Sequence, residues 1–171
     1  MKRTFFFIPV FVSLFLVYAC DTNTNIAGSD SSGLIFKTTI ATTTSTHDSV
    51  VFLGSDIQWF NATTHELRFK DSLTTERIRK FNKIKFYLGP DSLFTAITFV
   101  SDISSKIIDD IVLHLNLQDG QFYIEDGYPS NANVLSNPAT SIALREKNKN
   151  NRATAWNRFI EQLKKNGQYK E

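Results

Sequence analysis

Four carboxylates come closest to a catalytic set by residue type and spacing. Asp109 and Asp110 are adjacent, and Glu125 and Asp126 form a second adjacent pair further along the chain. A hydrolase acting on polysaccharide needs two carboxyl groups about 5 to 9.5 Å apart, one as the acid and one as the base or nucleophile. These residues therefore support one hypothesis, a carboxylate-dependent hydrolase of envelope or dietary polysaccharide.

Other catalytic and metal-binding patterns are absent from the sequence. It contains no G-x-S-x-G, no P-loop, no H-E-x-x-H and no C-x-x-C. His47, His65 and His114 are scattered, and the acid pairs lack the alternating ligand spacing of calcium loops, so capping of turns is their expected role. We therefore predict no catalytic residues, no metal site and no cofactor, and favour a protein that is not an enzyme.

Aromatic residues and acids near the second acid pair suggest a ligand-binding surface. The segment 125–129 combines two acids, a glycine, Tyr128 and a proline. Together with Trp59, Tyr123 and Asp126, Tyr128 could stack on sugar rings or fill a pocket of a partner protein. The alternative interpretation is a loop at a sheet edge that Tyr128 seals.

The first nineteen residues have the layout of a signal peptide. A positive start at 1–3 precedes an apolar run over 5–19 that only Pro9 and Ser13 interrupt. As a helix this run would span about 22 Å, which is shorter than the roughly 30 Å hydrocarbon core of a bilayer. We therefore expect an export signal rather than a permanent transmembrane span.

The end of that run, Leu16-Val17-Tyr18-Ala19-Cys20, resembles the lipobox of bacterial lipoproteins, although Tyr18 is bulkier than the motif usually carries. The resemblance implies that the Cys20 thiol takes a diacylglycerol, that cleavage follows Ala19, and that the new amine is acylated with a fatty acid such as palmitate. Two or three acyl chains would anchor the protein to a bilayer, at about 0.8 kcal/mol per buried methylene. Asp21 resembles an inner-membrane retention signal of enteric bacteria, and the choice of membrane stays open.

Three triplets resemble the Asp-Ser/Thr-aliphatic acceptor motif for O-glycosylation in the envelope of some Gram-negative gut anaerobes. Their serines, Ser49, Ser72 and Ser92, are expected at turn-like junctions. Asp-Ser also starts turns on its own account, so a glycan and a plain turn are both open interpretations. The Asn-rich, Phe-rich composition with one cysteine is also similar to that of small envelope lipoproteins of unknown function from these bacteria.

The charge of the chain argues against nucleic-acid binding. Lys and Arg number 19 against 17 Asp and Glu, and two of the basic residues, Lys2 and Arg3, lie in the export segment. The remainder is balanced, without the cationic surplus that phosphate backbones require. From Arg145 onward, the sequence contains eight basic residues and only three acidic ones. We expect a basic helix docked on an acidic domain, or a patch that contacts anionic lipid or glycan.

Composition and hydrophobic periodicity divide the chain into an apolar export segment (1–19), a polar tether (20–33) and one globular domain (34–171). The lipobox resemblance implies that the first is a lipoprotein signal peptide and that the tether begins with a lipidated cysteine. A strand pattern of period two dominates the domain until a helical stripe near the C-terminus. Asp119-Gly120 predicts a two-residue hairpin turn of type I′, and Thr74 is the expected cap of a short helix. The expected strands are 34–44, 50–53, 57–60, 66–70, 83–88, 93–100, 111–117 and 121–125, and the expected helices are 75–81 and 151–165, the second preceded by a loop over 128–141.

These elements predict an α+β fold, in which an antiparallel meander carries one short helix and an amphipathic C-terminal helix packed on it. The predicted protein is an envelope lipoprotein of a Gram-negative bacterium, bound to the outer membrane or to a periplasmic face. Its first predicted function is that of a non-catalytic binding or accessory module for a glycan or an envelope protein. The alternatives are the hydrolase and a periplasmic inhibitor or regulator of a protein partner; the oligomeric state is left open.

Overall fold

The computed structural model describes residues 33–41, 45–100 and 106–171. The predicted signal peptide, Cys20 and nearly all of the predicted tether lie outside these residues. The strands are β1 (Leu34–Ala41), β2 (Thr46–Leu53), β3 (Ile57–Asn61), β4 (Glu66–Phe69), β5 (Lys83–Leu88), β6 (Asp91–Val100), β7 (Val112–Asn116), β8 (Gln121–Glu125) and β9 (Tyr169–Lys170), and the helices are α1 (Ser72–Ile78) and α2 (Pro138–Lys165).

All nine strands belong to one mixed sheet, in the order β2-β1-β5-β6-β7-β8-β4-β3-β9. The sheet curls into a half-barrel around the long helix α2, which confirms an α+β fold. The predicted antiparallel meander is wrong, because β6 pairs with β7 in parallel, with Ile97 opposite Val112. A parallel pair needs a connection that returns the chain to the same end of the sheet. The segment between β6 and β7, of which the structure describes 106–111, is that connection.

The curl follows from the short link between β2 and β3. These strands lie far apart in the order of the sheet, yet only the 3-10 turn Gly54–Asp56 joins them. Gly54 suits this turn because a Cβ there would lie 2.8 Å from the Leu34 Cβ. The rings of Phe52 and Phe69 meet across the gap at 5.0 Å. The two halves of the sheet are therefore held close together on the concave side.

Phenylalanine rings fill the concave side of the sheet. Phe36 stacks on Phe52 with ring centroids 4.0 Å apart, and Phe86 stacks on Phe94 at 4.5 Å. From α2, Phe159 reaches Phe86 with 5.6 Å between ring centroids and is fully buried. Offset and edge contacts between aromatic rings add to the hydrophobic gain of burying them. The C-terminal half of α2 is thus part of the core, as the apolar stripe over 151–165 predicted.

α2 begins thirteen residues earlier than predicted, at Pro138 instead of Asn151. Proline is tolerated at the first helical position, where its missing N–H has no partner to lose. The prediction of this helix relied on the spacing of apolar residues. It missed the first half because the inward stripe there is polar. The stripe runs, at intervals of three or four residues, through Ser141, Arg145, Asn148, Arg152, Ala155, Phe159 and Leu163.

The end of α2 is fixed by Gly167 and Gln168. Gly167 has a φ of 68°, a left-handed conformation that suits glycine and ends the helix as predicted. The buried Gln168 amide donates to the carbonyl oxygen of Gly54 at 2.8 Å, and the Gln168 carbonyl accepts from Phe60 N at 2.7 Å. These bonds place the short strand β9, which the sequence analysis missed, against β3.

Two turns differ from their predictions in detail. The β7–β8 hairpin forms, but its loop has four residues (117–120) and only Gly120, with a φ of 69°, is left-handed. A type I′ turn would need a positive φ at Asp119 as well. α1 is capped by Asp71, whose Oδ1 accepts from Thr74 N at 2.9 Å. Thr74 is therefore inside the first turn and is not the cap.

Candidate functional site

Arg145 docks the first half of α2 on the segments that precede β7 and follow β8. Its side chain is 9% exposed, and its Nε donates to Asp109 Oδ1 at 2.9 Å. Nη1 donates to the Pro129 carbonyl at 2.7 Å, and Nη2 donates to the Tyr128 carbonyl at 3.3 Å. A planar guanidinium suits this fan of acceptors, because its donors point in fixed directions. Arg145 therefore ties three backbone or side-chain acceptors to one turn of the helix.

Arg152 repeats this arrangement two turns later. Nη1 donates to Asp110 Oδ1 at 3.0 Å, and Nη2 donates to Asp126 Oδ1. Lys149 Nζ lies 3.3 Å from the other oxygen of Asp126. The basic helix is thus docked on acidic loops, the first of the two predicted arrangements.

Gly127 permits the close approach of Arg145. A Cβ at this position would lie 2.4 Å from Arg145 Nε, and Gly127 is buried. The sequence analysis grouped this glycine with the residues of a binding loop. In the structure its role is packing, because only a residue without a side chain leaves room for the guanidinium.

The four candidate carboxylates do not form a catalytic pair. Asp109, Asp110 and Asp126 each accept a hydrogen bond from a buried guanidinium, and Arg152 lies between the last two. Glu125 is apart from them, on the sheet face of His114, with its Oε2 atom 3.8 Å from His114 Nδ1. In the described part of the chain this Oε2 atom has no hydrogen-bond partner. Burial raises the pKa of the Glu125 carboxyl above its ordinary value.

A cleft of about 230 Å³ opens beside α2, between the helix, the end of β8 and the β3–β4 turn. Ile124 and Trp156 supply its apolar wall, and polar groups come from His65, Asn150 and Asn157. Lys149, Arg152 and Asp126 also line it, so the salt bridges of the docked helix form one side. An apolar wall with a few convergent polar groups is typical of a ligand site.

Trp156 is held rigidly in this wall. Its ring lies 5.9 Å from Phe60, 5.8 Å from Phe94 and 5.5 Å from Phe159, measured between ring centroids. These contacts on core residues fix the indole while part of it stays accessible. Trp156 lies within the helix predicted over 151–165, and in the structure it faces a cleft.

The predicted ligand-binding residues are distributed over two surfaces. Trp59 lies on the outer face of the sheet, with Lys170 Nζ 4.0 Å from its ring, and Tyr123 is on the same face two strands away. Tyr128 packs on His114, with ring centroids 5.2 Å apart. Asp126 lines the cleft beside α2. The four residues therefore do not meet in one site.

The hydroxyl of Tyr123 forms a hydrogen bond within the β7–β8 hairpin. It donates to Asp119 Oδ2 at 2.7 Å. This hydrogen bond, helped by partial burial, raises the pKa of Tyr123 to about 12, because a phenolate would lose the bond and face the carboxylate.

The three predicted glycosylation sites lie in different local structures. Ser49 is in the middle of the edge strand β2, opposite Thr38, so its predicted turn position is wrong. Ser72 is the first residue of α1, and Ser92 is exposed beside the Gly89-Pro90 turn. The triplet at Ser49 is paired with β1 along its backbone. Asp48 accepts a hydrogen bond from Lys85 Nζ at 2.9 Å, which lowers the pKa of Asp48.

Comparisons with protein-family models, curated proteins and solved structures find no match for this chain. Among the described residues, neither helix combines the length and the hydrophobicity that a membrane span requires. The same residues hold no group of three or more His, Cys, Asp and Glu side chains placed to bind a metal ion. Function must therefore be inferred from the residues and the cleft.

Loss of a buried guanidinium should cost far more stability than loss of an exposed one. We expect Arg145→Ala to lower the free energy of unfolding by about 3 to 5 kcal/mol, because it leaves Asp109 without its cation. Arg158→Ala breaks the exposed pair with Asp91, whose side chains are 42% and 57% exposed, and should cost about 0 to 1 kcal/mol. Urea denaturation of both variants measures the difference. Equal losses would contradict the docking role of Arg145.

Glu125 should make stability fall as the pH rises. Because its folded pKa lies above the unfolded value, the folded protein binds more protons between these two values. Raising the pH above 4.5, the ordinary pKa of a glutamate carboxyl, and through that interval therefore lowers the free energy of unfolding. Glu125→Gln should flatten this decline, while Glu161→Gln, at an exposed helix position, should keep it. Urea denaturation between about pH 5 and about pH 8 tests this, and a decline as steep in Glu125→Gln as in the wild type would refute it.

Proposed function

We propose that this chain is a lipid-anchored envelope protein whose globular domain is a binding module, with the cleft beside Trp156 as its ligand site. The sequence Leu16-Val17-Tyr18-Ala19-Cys20 carries the anchoring part of the proposal, because it ends an apolar run at the only cysteine of the chain. Acyl chains on Cys20 would hold the domain at a bilayer through the polar segment 21–33. The envelope of a Gram-negative bacterium is the proposed location.

The cleft beside Trp156 supports the binding part of the proposal. Rigid binding sites rest on side chains that packing holds in place. Trp156 meets that requirement through its contacts with core aromatic residues, and Arg152 fixes the opposite wall by its bonds to Asp110 and Asp126. The docked helix therefore supplies a preorganised surface, which lowers the entropic cost of binding.

Binding is favoured over hydrolysis by the use that the fold makes of its carboxylates. Three of the four candidate acids accept hydrogen bonds from buried arginines of α2. These carboxylates therefore stabilise the position of the helix. Glu125, whose carboxyl has a raised pKa, faces His114 and does not line the cleft. The alternative is an inhibitor or regulator that binds a protein partner through the open face of the sheet.

Replacement of the anchoring thiol tests the proposed location. Wild-type protein should fractionate with membranes and incorporate radiolabelled palmitate, whereas Cys20→Ala should lose the label and remain uncleaved at the lipobox. Ser13→Ala, within the same apolar run, is the matched control and should behave as the wild type. Equal labelling of the wild type and Cys20→Ala, or a wild-type protein with an unmodified Cys20 thiol by mass spectrometry, would overturn the anchor.

A further inference from the structure

The cleft beside Trp156 adjoins a second depression on the same side of α2. This depression measures about 290 Å³ and includes Ser130, Asn133 and Ile142. Lys149 and Asp126 line both spaces, and their 3.3 Å ion pair stands between them. The two spaces therefore form one groove along the helix, which we call the α2 groove.

The α2 groove has the length of an extended ligand. Its lining residues run along α2 from Ile142 to Asn157. At a rise of 1.5 Å per residue this part of the helix is about 22 Å long. The two depressions measure about 230 and about 290 Å³, at or below the lower end of the range for pockets that enclose drug-sized molecules. A linear ligand that crosses the ion pair and uses both spaces fits this shape better than one compact molecule.

The α2 groove is lined by four neutral amides and one hydroxyl beside its five charged side chains. Asn150 and Asn157 lie two turns apart on α2 and are both exposed, with the small side chain of Ala153 between them. Ser130 and Asn133 are exposed in the second depression. Each amide offers both donors and an acceptor, which matches ligands whose hydroxyl groups donate and accept.

The cations of the α2 groove are paired within the protein. Asp126 is bonded to both Arg152 and Lys149, and Arg145 is bonded to Asp109. Glu146 adds an exposed carboxylate to the lining. An anionic polymer would therefore compete with carboxylates for these cations and be repelled by Glu146.

A peptide bound as an added strand would need an open strand edge. Where β8 borders the groove, Ile124 N already donates to the His65 carbonyl at 2.9 Å. A neutral ligand with many hydroxyl groups satisfies both conditions.

We propose that the α2 groove binds a neutral oligosaccharide, with one sugar ring packed against the indole of Trp156 and the chain running toward Ile142. The proposal rests on the proposed function, since it names the ligand class of that binding module. Apolar ring faces of sugars pack on aromatic side chains while their hydroxyls meet the flanking amides. Asn150 and Asn157 are the groups placed to receive those hydroxyls.

The acylated full-length protein in detergent is titrated calorimetrically with cellohexaose, maltohexaose, mannohexaose and chitohexaose. At least one should bind saturably, and Ala153→Gln, which fills the cleft from an exposed helix position, should weaken it by roughly tenfold or more. Thr154→Gln, next to it but outside the groove lining, should bind as the wild type. Because the proposed ligand is neutral, added salt should change the affinity little.

No saturable binding of any of these sugars at millimolar concentration would overturn the oligosaccharide proposal, as would unchanged affinity in Ala153→Gln. Polygalacturonate and a neutral Asn-Gly hexapeptide serve as competing ligand classes. If either binds where the neutral sugars do not, and Ala153→Gln abolishes that binding, the ligand class is wrong while the binding function stands. The anchor fails separately, through the Cys20→Ala fractionation.

Discussion

The pairing of two buried arginines on α2 with carboxylates on the loops beside β7 and β8 is the constraint on which the rest of the structure depends. A buried guanidinium is costly to remove from water unless it is paired and hydrogen-bonded. Arg145 and Arg152 are bonded to Asp109, Asp110, Asp126 and two backbone carbonyls. The position of the helix is therefore set by hydrogen-bond geometry in its first half and by aromatic packing in its second half.

The change from hydrogen-bonded arginines to packed aromatic side chains along α2 produces the groove. At the point where the inner stripe of α2 changes from arginine to aromatic residues, Trp156 packs on core aromatic rings. Arg152 there bonds the loop that carries Asp126. The cleft lies at that junction, between a hydrophobic contact and an ionic one. Three of the carboxylates that look catalytic in the sequence bond the arginines of α2 here. The cleft itself is lined by two amides, one indole, one imidazole, two aliphatic side chains and the ion-paired Asp126, Lys149 and Arg152.

Local patterns in the sequence predicted local structure well, and long-range pairing poorly. β5 and β8 begin and end where alternation predicted them, because both strands bury one face. The parallel pairing of β6 with β7 was missed, since periodicity does not reveal the partner of a strand. The first half of α2 was missed because its inward stripe is polar; the spacing of Ser141, Arg145 and Asn148, continued to Phe159, was the available signal. Trp156 lies within the predicted C-terminal helix. The cleft beside it could not be predicted from the sequence, because a cleft depends on tertiary packing.

Hydrogen–deuterium exchange of an Asp109→Ala variant tests the central claim most directly. If Arg145 holds the first half of α2 through Asp109, amides over 139–150 should lose protection while those over 156–165, packed in the core, keep it. The same variant should leave the protection of β1 and β5 unchanged, because these strands lie at the far side of the sheet. Unchanged protection over 139–150, or an equal loss along the whole helix, would contradict the claim.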